Sequence, residues 1–369
     1  MMITGSSALM DLRSIPTLAG IDAEVITTER LTTRVLFSGI QDGIPVLFLH
    51  GNLISATCWE EVMLTLQAGY RAIAPDQRGY GSADPAKKIH ATRGMGDLAD
   101  DTIALLGYLG IDRAHFIGHS MGGSVIWRLL VEHPERFLTA TLIAPPPPYG
   151  FGATKDASGI PCCANFAGSG AGLINAEMVK RLMDGDRSLD SPFSPRTIFR
   201  TLVFKPPFIP DREEELLSAT LATHFGEQDF PGDFSRSSNW PYVAPGQWGP
   251  LNAMSPKYAI DVEELYAAQS KTSILWIRGS QDAIISNHSA FDPAIAGERA
   301  LLPDWPGATI YPPQPMLDQT RTVLEKYAMM GGIYREIALQ NAGHMPYLEQ
   351  LTAFNQAFHR HLESSRSWK

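Results

Sequence analysis

Cysteine is scarce: Cys58, Cys162 and Cys163 are the only three in a chain of 369 residues. Three thiols build no disulfide framework, and adjacent residues such as Cys162 and Cys163 rarely pair with each other. Reduced thiols and a cytoplasmic setting are the expectation. No companion Cys or His stands at ligand spacing from that pair, so no metal site is expected. Basic side chains are in deficit, 30 against 39 acidic ones for a formal charge of −9. Nucleic acid is a poor partner for such a surface, because phosphate binding needs positive charge. No stretch approaches the roughly 20 apolar residues of a membrane span. Residues 1–20, with Asp11, Arg13 and Pro16, lack the apolar run of a signal peptide. Repeats and low-complexity tracts are missing, as is a Gly-rich strand-to-helix turn fit to cradle a dinucleotide. The expected partner is therefore a small-molecule substrate, with no nucleic acid, no membrane and no organic cofactor. A homodimer is allowed.

What is present is an ordinary globular composition, 44% hydrophobic and 19% charged. The length fits about two domains, or one large α/β domain carrying an insertion. Short apolar runs at 33–39, 45–50, 71–76, 114–119 and 138–144 read as strands, and 59–67, 95–109 and 121–132 as helices. Strands separated by single helices need right-handed crossovers, which predicts a parallel sheet covered on both faces. The rhythm breaks at Pro145-Pro146-Pro147-Pro148. Residues 149–259 are rich in Gly, Pro, Ser and Asp, with helix expected at 176–183 and 212–223. Alternation resumes with a strand at 272–279, a helix at 318–330, a strand at 334–338 and a closing helix at 348–362. One core (1–148 and 260–369) is thus interrupted by a lobe at 149–259. A second irregular insertion at 286–315 is expected to pack beside that lobe.

The sharpest chemical signal is Gly118-His119-Ser120-Met121-Gly122-Gly123, which follows an apolar strand and opens an apolar helix. A serine in so tight a strand-to-helix turn has strained backbone angles, and only small flanking residues leave room for it. Ser120 is the expected nucleophile. The blander alternative is a serine N-cap on a glycine-rich helix start. An acyl-transfer site also needs two backbone N–H groups aimed at the developing oxyanion. Met121 supplies one, and His50-Gly51-Asn52-Leu53, directly after the second strand, supplies the other from Asn52, with Leu53 as fallback. A serine needs a base. His344, in Asn341-Ala342-Gly343-His344-Met345-Pro346, sits between the last strand and the last helix and is the expected one. His119 points elsewhere on this reading, His359 and His361 are solvated on the terminal helix, and His288 is a weaker rival. Asp282, in the loop after the penultimate strand, is the expected acid that orients the base. Asp292 and Asp304 are the outsiders.

These residues resemble the α/β-hydrolase fold superfamily. Asp76-Gln77-Arg78-Gly79-Tyr80-Gly81-Ser82 is similar to that family's Asp-x-Arg-Gly-x-Gly-x-Ser loop and is read as structural. The resemblance implies an α/β-hydrolase fold, a mostly parallel central sheet with helices on both faces. It also implies that the lobe sits in the position of a cap domain. A serine at the elbow argues against epoxide hydrolases and haloalkane dehalogenases, whose nucleophile is a carboxylate. The interval from Asp282 to His344 is about twice that of a simple member. Lobe aromatics and the absence of an arginine cluster point to a neutral, bulky, partly aromatic ester or lactone. His50, Leu53, Phe230, Trp240 and Trp305 are the expected substrate contacts. The alternatives are a proline-type aminopeptidase using Glu213, Glu214 or Glu215, a carbon–carbon bond hydrolase for diketones, and a catalytically weak ligand-binding receptor.

Overall fold

The computed structural model describes residues 15–364. Of the opening stretch read above for a leader, residues 1–14 lie outside the described residues.

Eight strands make the central sheet: β1 (Asp22–Thr27), β2 (Thr32–Gly39), β3 (Ile44–Leu49), β4 (Tyr70–Pro75), β5 (Ala114–His119), β6 (Phe137–Ile143), β7 (Ser273–Gly279) and β8 (Ile333–Leu339). Their spatial order is β1-β2-β4-β3-β5-β6-β7-β8. From β4 to β8 all neighbours are parallel. The sheet is mostly parallel, as expected, and the exception in the first half is β2, which runs antiparallel to both β1 and β4. The link between β1 and β2 is too short for a crossover and closes as a turn, in which Thr28 Oγ1 accepts the N–H groups of Arg30 and Leu31. Strand β1 itself escaped the sequence reading. It lies at the sheet edge with every residue but Ile26 exposed, so it carries no buried apolar pattern.

Helices cover both faces. On one, Gly96–Tyr108, Met121–Glu132 and Met316–Met329 bury Leu98, Leu105, Val125, Leu129, Val323 and Leu324 against the sheet. On the other, Trp59, Val62, Met63, Phe354, Phe358 and Leu362 pack on the opposite side chains of the same strands. Strand alternation supplies both faces at once: Leu47 and Leu49 belong to the first cluster, Val46 and Phe48 to the second. The family's expected structural loop holds the edge of this layer. The buried Asp76 carboxylate takes Arg34 in two bonds of 3.0 and 3.1 Å and accepts the N–H groups of Ala56 and Ser82. Arg78 is bound bidentately by Asp101.

Between β6 and β7 the chain leaves the sheet. It forms helices at Ala176–Met183, Pro195–Ile198 and Glu213–Leu221, a wide π-type turn at Phe199–Val203, and paired segments only two or three residues long. Residues 286–315 include one short helix, Pro293–Glu298. They touch this lobe through Tyr311, whose hydroxyl donates to Ala167 O at 2.9 Å, and through Ala294, which clusters with Ala153 and Trp240.

Candidate active site

Parallel strands place their carboxyl ends along one edge, and four of those ends converge. Strand β5 runs straight into Ser120 and the helix Met121–Glu132. Ser120 has φ 52° and ψ −119°, a conformation that L-residues avoid. Its N–H donates to Ile143 O on β6 at 2.8 Å, and it makes no side-chain capping bond, so its Oγ is not spent as an N-cap. The flanking glycines are required by close approach. A Cβ at Gly118 would meet Gly122 O at 2.4 Å, and one at Gly122 would meet Leu49 O at 2.2 Å. The elbow is therefore pressed against both itself and the end of β3.

The loop after β3 forms the wall beside it. His50 is buried, with Nδ1 donating to Gly51 O at 2.8 Å and Nε2 accepting the Gln77 N–H at 2.9 Å. Burial drives its pKa down to about 4, so the ring is neutral. Its expected role as a substrate contact needs correction: it braces the loop from behind and does not line the cavity. Asn52 and Leu53 do line it. Asn52 Oδ1 accepts the Tyr80 hydroxyl at 2.6 Å, and Leu53 sits at φ 53° with its carbonyl held by Thr220 Oγ1 at 2.8 Å. Met121 opens the helix, where the first N–H groups have no intrahelical acceptor.

Strands β7 and β8 bring the remaining pair. Asp282 follows β7, and its Oδ1 accepts the N–H groups of Ile284 and Ile285 at 2.8 and 3.0 Å. This leaves Oδ2 for His344 Nδ1 at 2.8 Å, a bond made across 62 residues of chain. Both side chains are buried, and His344 shares the cavity wall with Ser120. The long interval is filled by the 286–315 insertion, which enters and leaves without parting the pair. Asp292 is occupied elsewhere, accepting the N–H groups of Ala294 and Gln314. Such a constellation can take a hydroxyl proton onto the free ring nitrogen of His344 while Asp282 fixes the tautomer.

His119 turns away from Ser120, as expected, but not out of the site. Its ring lies 4.7 Å from that of His344, and Nε2 donates to His344 O at 2.9 Å. Burial, with His344 beside it, holds its pKa well below the usual value, so it is a neutral prop for the histidine loop. His361 departs from expectation, because it is half-buried against Ala140 O at 3.1 Å. Burial lowers its pKa to about 4.

The cavity above Ser120 holds about 220 Å³. Its wall comes from the elbow, the β3 loop, the Asp282 and His344 loops, and the lobe. Phe230 lines it as expected from the sequence, together with Met178, Leu182 and Ile198, which the aromatic-centred reading missed. Met178 and Leu182, four apart on one helix and both buried, were the available signal. Trp240 and Trp305 need correction, since neither reaches the cavity. Trp240 donates to Pro303 O at 2.8 Å and packs on Tyr311 with ring centroids 4.8 Å apart. Trp305 donates to Tyr311 O at 3.0 Å. Together they cement the lobe to the 286–315 insertion. No Asp, Glu, Lys or Arg lines the cavity among the described residues. Nor do those residues contain a group of three or more His, Cys, Asp or Glu placed to hold a metal, or a helix long and apolar enough to cross a membrane.

Comparison with known proteins agrees with this architecture. Residues 44–159 match the model of the alpha/beta hydrolase fold family. The AB hydrolase superfamily protein YfhM of Bacillus subtilis is 36% identical over 117 residues, 31% of this chain and 41% of its own. A non-heme chloroperoxidase of Streptomyces lividans is 38% identical over 125 residues, 33% of this chain and 44% of its own. The chain thus spans less than half the length of these curated relatives. Among solved structures, the carboxylesterase CesB of Bacillus subtilis superposes with a TM-score of 0.56 at 19% identity, covering 93% of this chain and 90% of its own. The sheet order, the elbow after β5, the matched segment and these likenesses together show that the chain has the alpha/beta hydrolase fold, with residues 44–159 matching that family's model.

Proposed function

We propose that the protein is a serine hydrolase that cleaves neutral, bulky, apolar carboxylic esters or lactones through an acyl-enzyme. The observation that carries this reading is the pairing of His344 with Asp282 at 2.8 Å in the wall of an uncharged cavity that also exposes an uncapped, strained Ser120. His344 takes the Ser120 proton as Oγ attacks the carbonyl carbon. The N–H groups of Met121 and Asn52 receive the oxyanion. His344 then protonates the departing alcohol, and a water activated by the same ring releases the acid. The lobe acts as a cap whose aliphatic wall sets which substrate fits.

The aminopeptidase reading loses its support, because none of Glu213, Glu214 and Glu215 lines the cavity and two of them are already paired. Glu213 is bound by Arg196 and Arg200, and Glu214 by Arg187 and Arg196. A substrate ammonium entering this cavity would find no counter-charge. The test is a panel of nitrophenyl esters of rising chain length, aromatic lactones and aminoacyl-anilides, run on the parent and on Ser120→Ala. Esters or lactones should be turned over, with a loss of about 10⁴-fold in the variant. Retention of most activity in a folded Ser120→Ala would falsify the reading.

A further inference from the structure

The loop that presents His344 is joined to the lobe by contacts that the chemistry above does not use. His344 N–H donates to Val203 O at 2.8 Å, from the end of the π-type turn. Glu349, one helical turn beyond, spans the same joint: Oε2 accepts the Gly343 N–H at 2.8 Å and Oε1 the Lys205 N–H at 2.7 Å. The two pieces approach so closely that a Cβ at Gly343 would lie 2.8 Å from Val203 O and 2.9 Å from Lys205 N. Phe199 and Val203, on the lobe side of the joint, also line the cavity.

We propose that Glu349 is a positioning residue that locks the His344 loop to residues 203–205 of the lobe, so that the seating of the lobe sets the placement of the base. The proposal rests on His344 being that base. A carboxylate suits the task because it is acceptor-only, and its two oxygens receive two backbone donors from different parts of the chain. The titratable groups facing it are Asp282 and His344; the Lys205 ammonium turns away to Pro206 O. Burial pushes the Glu349 carboxyl up to about 7 against the pull of its two backbone bonds, with Asp282 raising it further and His344 lowering it. A glutamine has one acceptor and would set its NH₂ against the second N–H, opening one half of the joint.

Glu349→Gln should lower kcat about 10- to 100-fold on nitrophenyl acetate and on a long-chain ester alike, with KM for the acetate unchanged, as expected of a misplaced catalytic group. Gly343→Ala, which strains the same joint, should do likewise, and the double variant should lose far less than the product of the two. The downfield proton resonance expected of the His344–Asp282 bond in the parent should broaden or vanish in Glu349→Gln. A folded Glu349→Gln with kcat within threefold of the parent and an unaltered resonance overturns the proposal while His344→Ala remains inactive. Activity surviving in His344→Ala overturns the base assignment and this proposal with it. Amide exchange in the unmodified protein needs no variant: Lys205 and Gly343 should be protected together. Free exchange at Lys205 beside a protected Gly343 would show that the joint does not exist.

Discussion

Replacing Phe291 by alanine separates contact with substrate from upkeep of the fold. Phe291 lines the cavity yet is 39% exposed, so much of its ring is already open and little packing is lost on truncation. A phenylalanine side chain presents roughly 200 Å², which leaves about 80 Å² for a bulky substrate to cover. At about 25 cal/mol per Å², full coverage contributes about 2 kcal/mol and half coverage about 1 kcal/mol. The expected loss in kcat/KM for a bulky ester is therefore about 5- to 30-fold, appearing mostly in KM. Nitrophenyl acetate, too small to reach the ring, should be hydrolysed as before, and thermal stability should barely change. Trp240→Ala is the contrast. That ring is 7% exposed and seated between lobe and insertion, so its loss should cost about 3–5 kcal/mol of stability and give no selective effect on bulky substrates. Equal losses on acetate and bulky ester in Phe291→Ala would refute the assignment, as would a Trp240→Ala variant that stays stable and changes substrate ranking.

Two further outcomes follow from the buried polar groups. Asp282→Asn should reduce kcat by about 10⁴-fold with KM little changed, since the amide favours the wrong tautomer of His344; a drop of less than tenfold would move the acid elsewhere. Acid should unfold the protein partly through His50 and His361, whose folded pKa values lie near 4, below the ordinary 6.5. The unfolded chain binds these protons first, so stability is complete above about 6.5 and falls as pH drops towards 4. Urea midpoints at several pH values check this, and His361→Gln should flatten the decline; an unchanged slope would show that His361 is not a source of it.

How much of this was legible in the sequence depended on whether the cause was local. The elbow needs glycines within two residues of Ser120 because the backbone meets itself there, and that constraint is written in adjacent letters. That Ser120, Asp282 and His344 would gather at one edge was readable because each follows a strand whose end must lie there. What escaped is set by contacts across the chain. Nothing adjacent to Trp240 or Trp305 tells that their indoles turn to Pro303 and Tyr311 and away from the cavity. Glu349 has no local feature that marks it, and its partner Lys205 lies 144 positions away. His119 was expected to diverge from its neighbour, as adjacent side chains in a tight turn do. It does leave Ser120, but only to reach the carbonyl of the base.

The strain at the elbow gives a last prediction that separates stability from activity. At φ 52°, Ser120 carries a Cβ in a region where an L-residue pays roughly 1–2 kcal/mol, and the Ile143, Gly123 and Ser124 backbone bonds hold it there. Alanine keeps that Cβ and so keeps the strain. Glycine removes it, at a cost of about 0.5–1 kcal/mol in extra freedom of the unfolded chain. Ser120→Gly should therefore be more stable than Ser120→Ala by about 1 kcal/mol, although both lack the hydroxyl and both are inactive. With an unfolding entropy of about 2.1 cal/mol/K per residue, that difference raises Tm by about 1–2 °C in a chain of this length. Scanning calorimetry of the two variants side by side resolves it. If Ser120→Gly melts at or below Ser120→Ala, the turn is held without strain. The elbow glycines would then serve only to let the strands and the helix come close, and the raised position of the hydroxyl would need another cause.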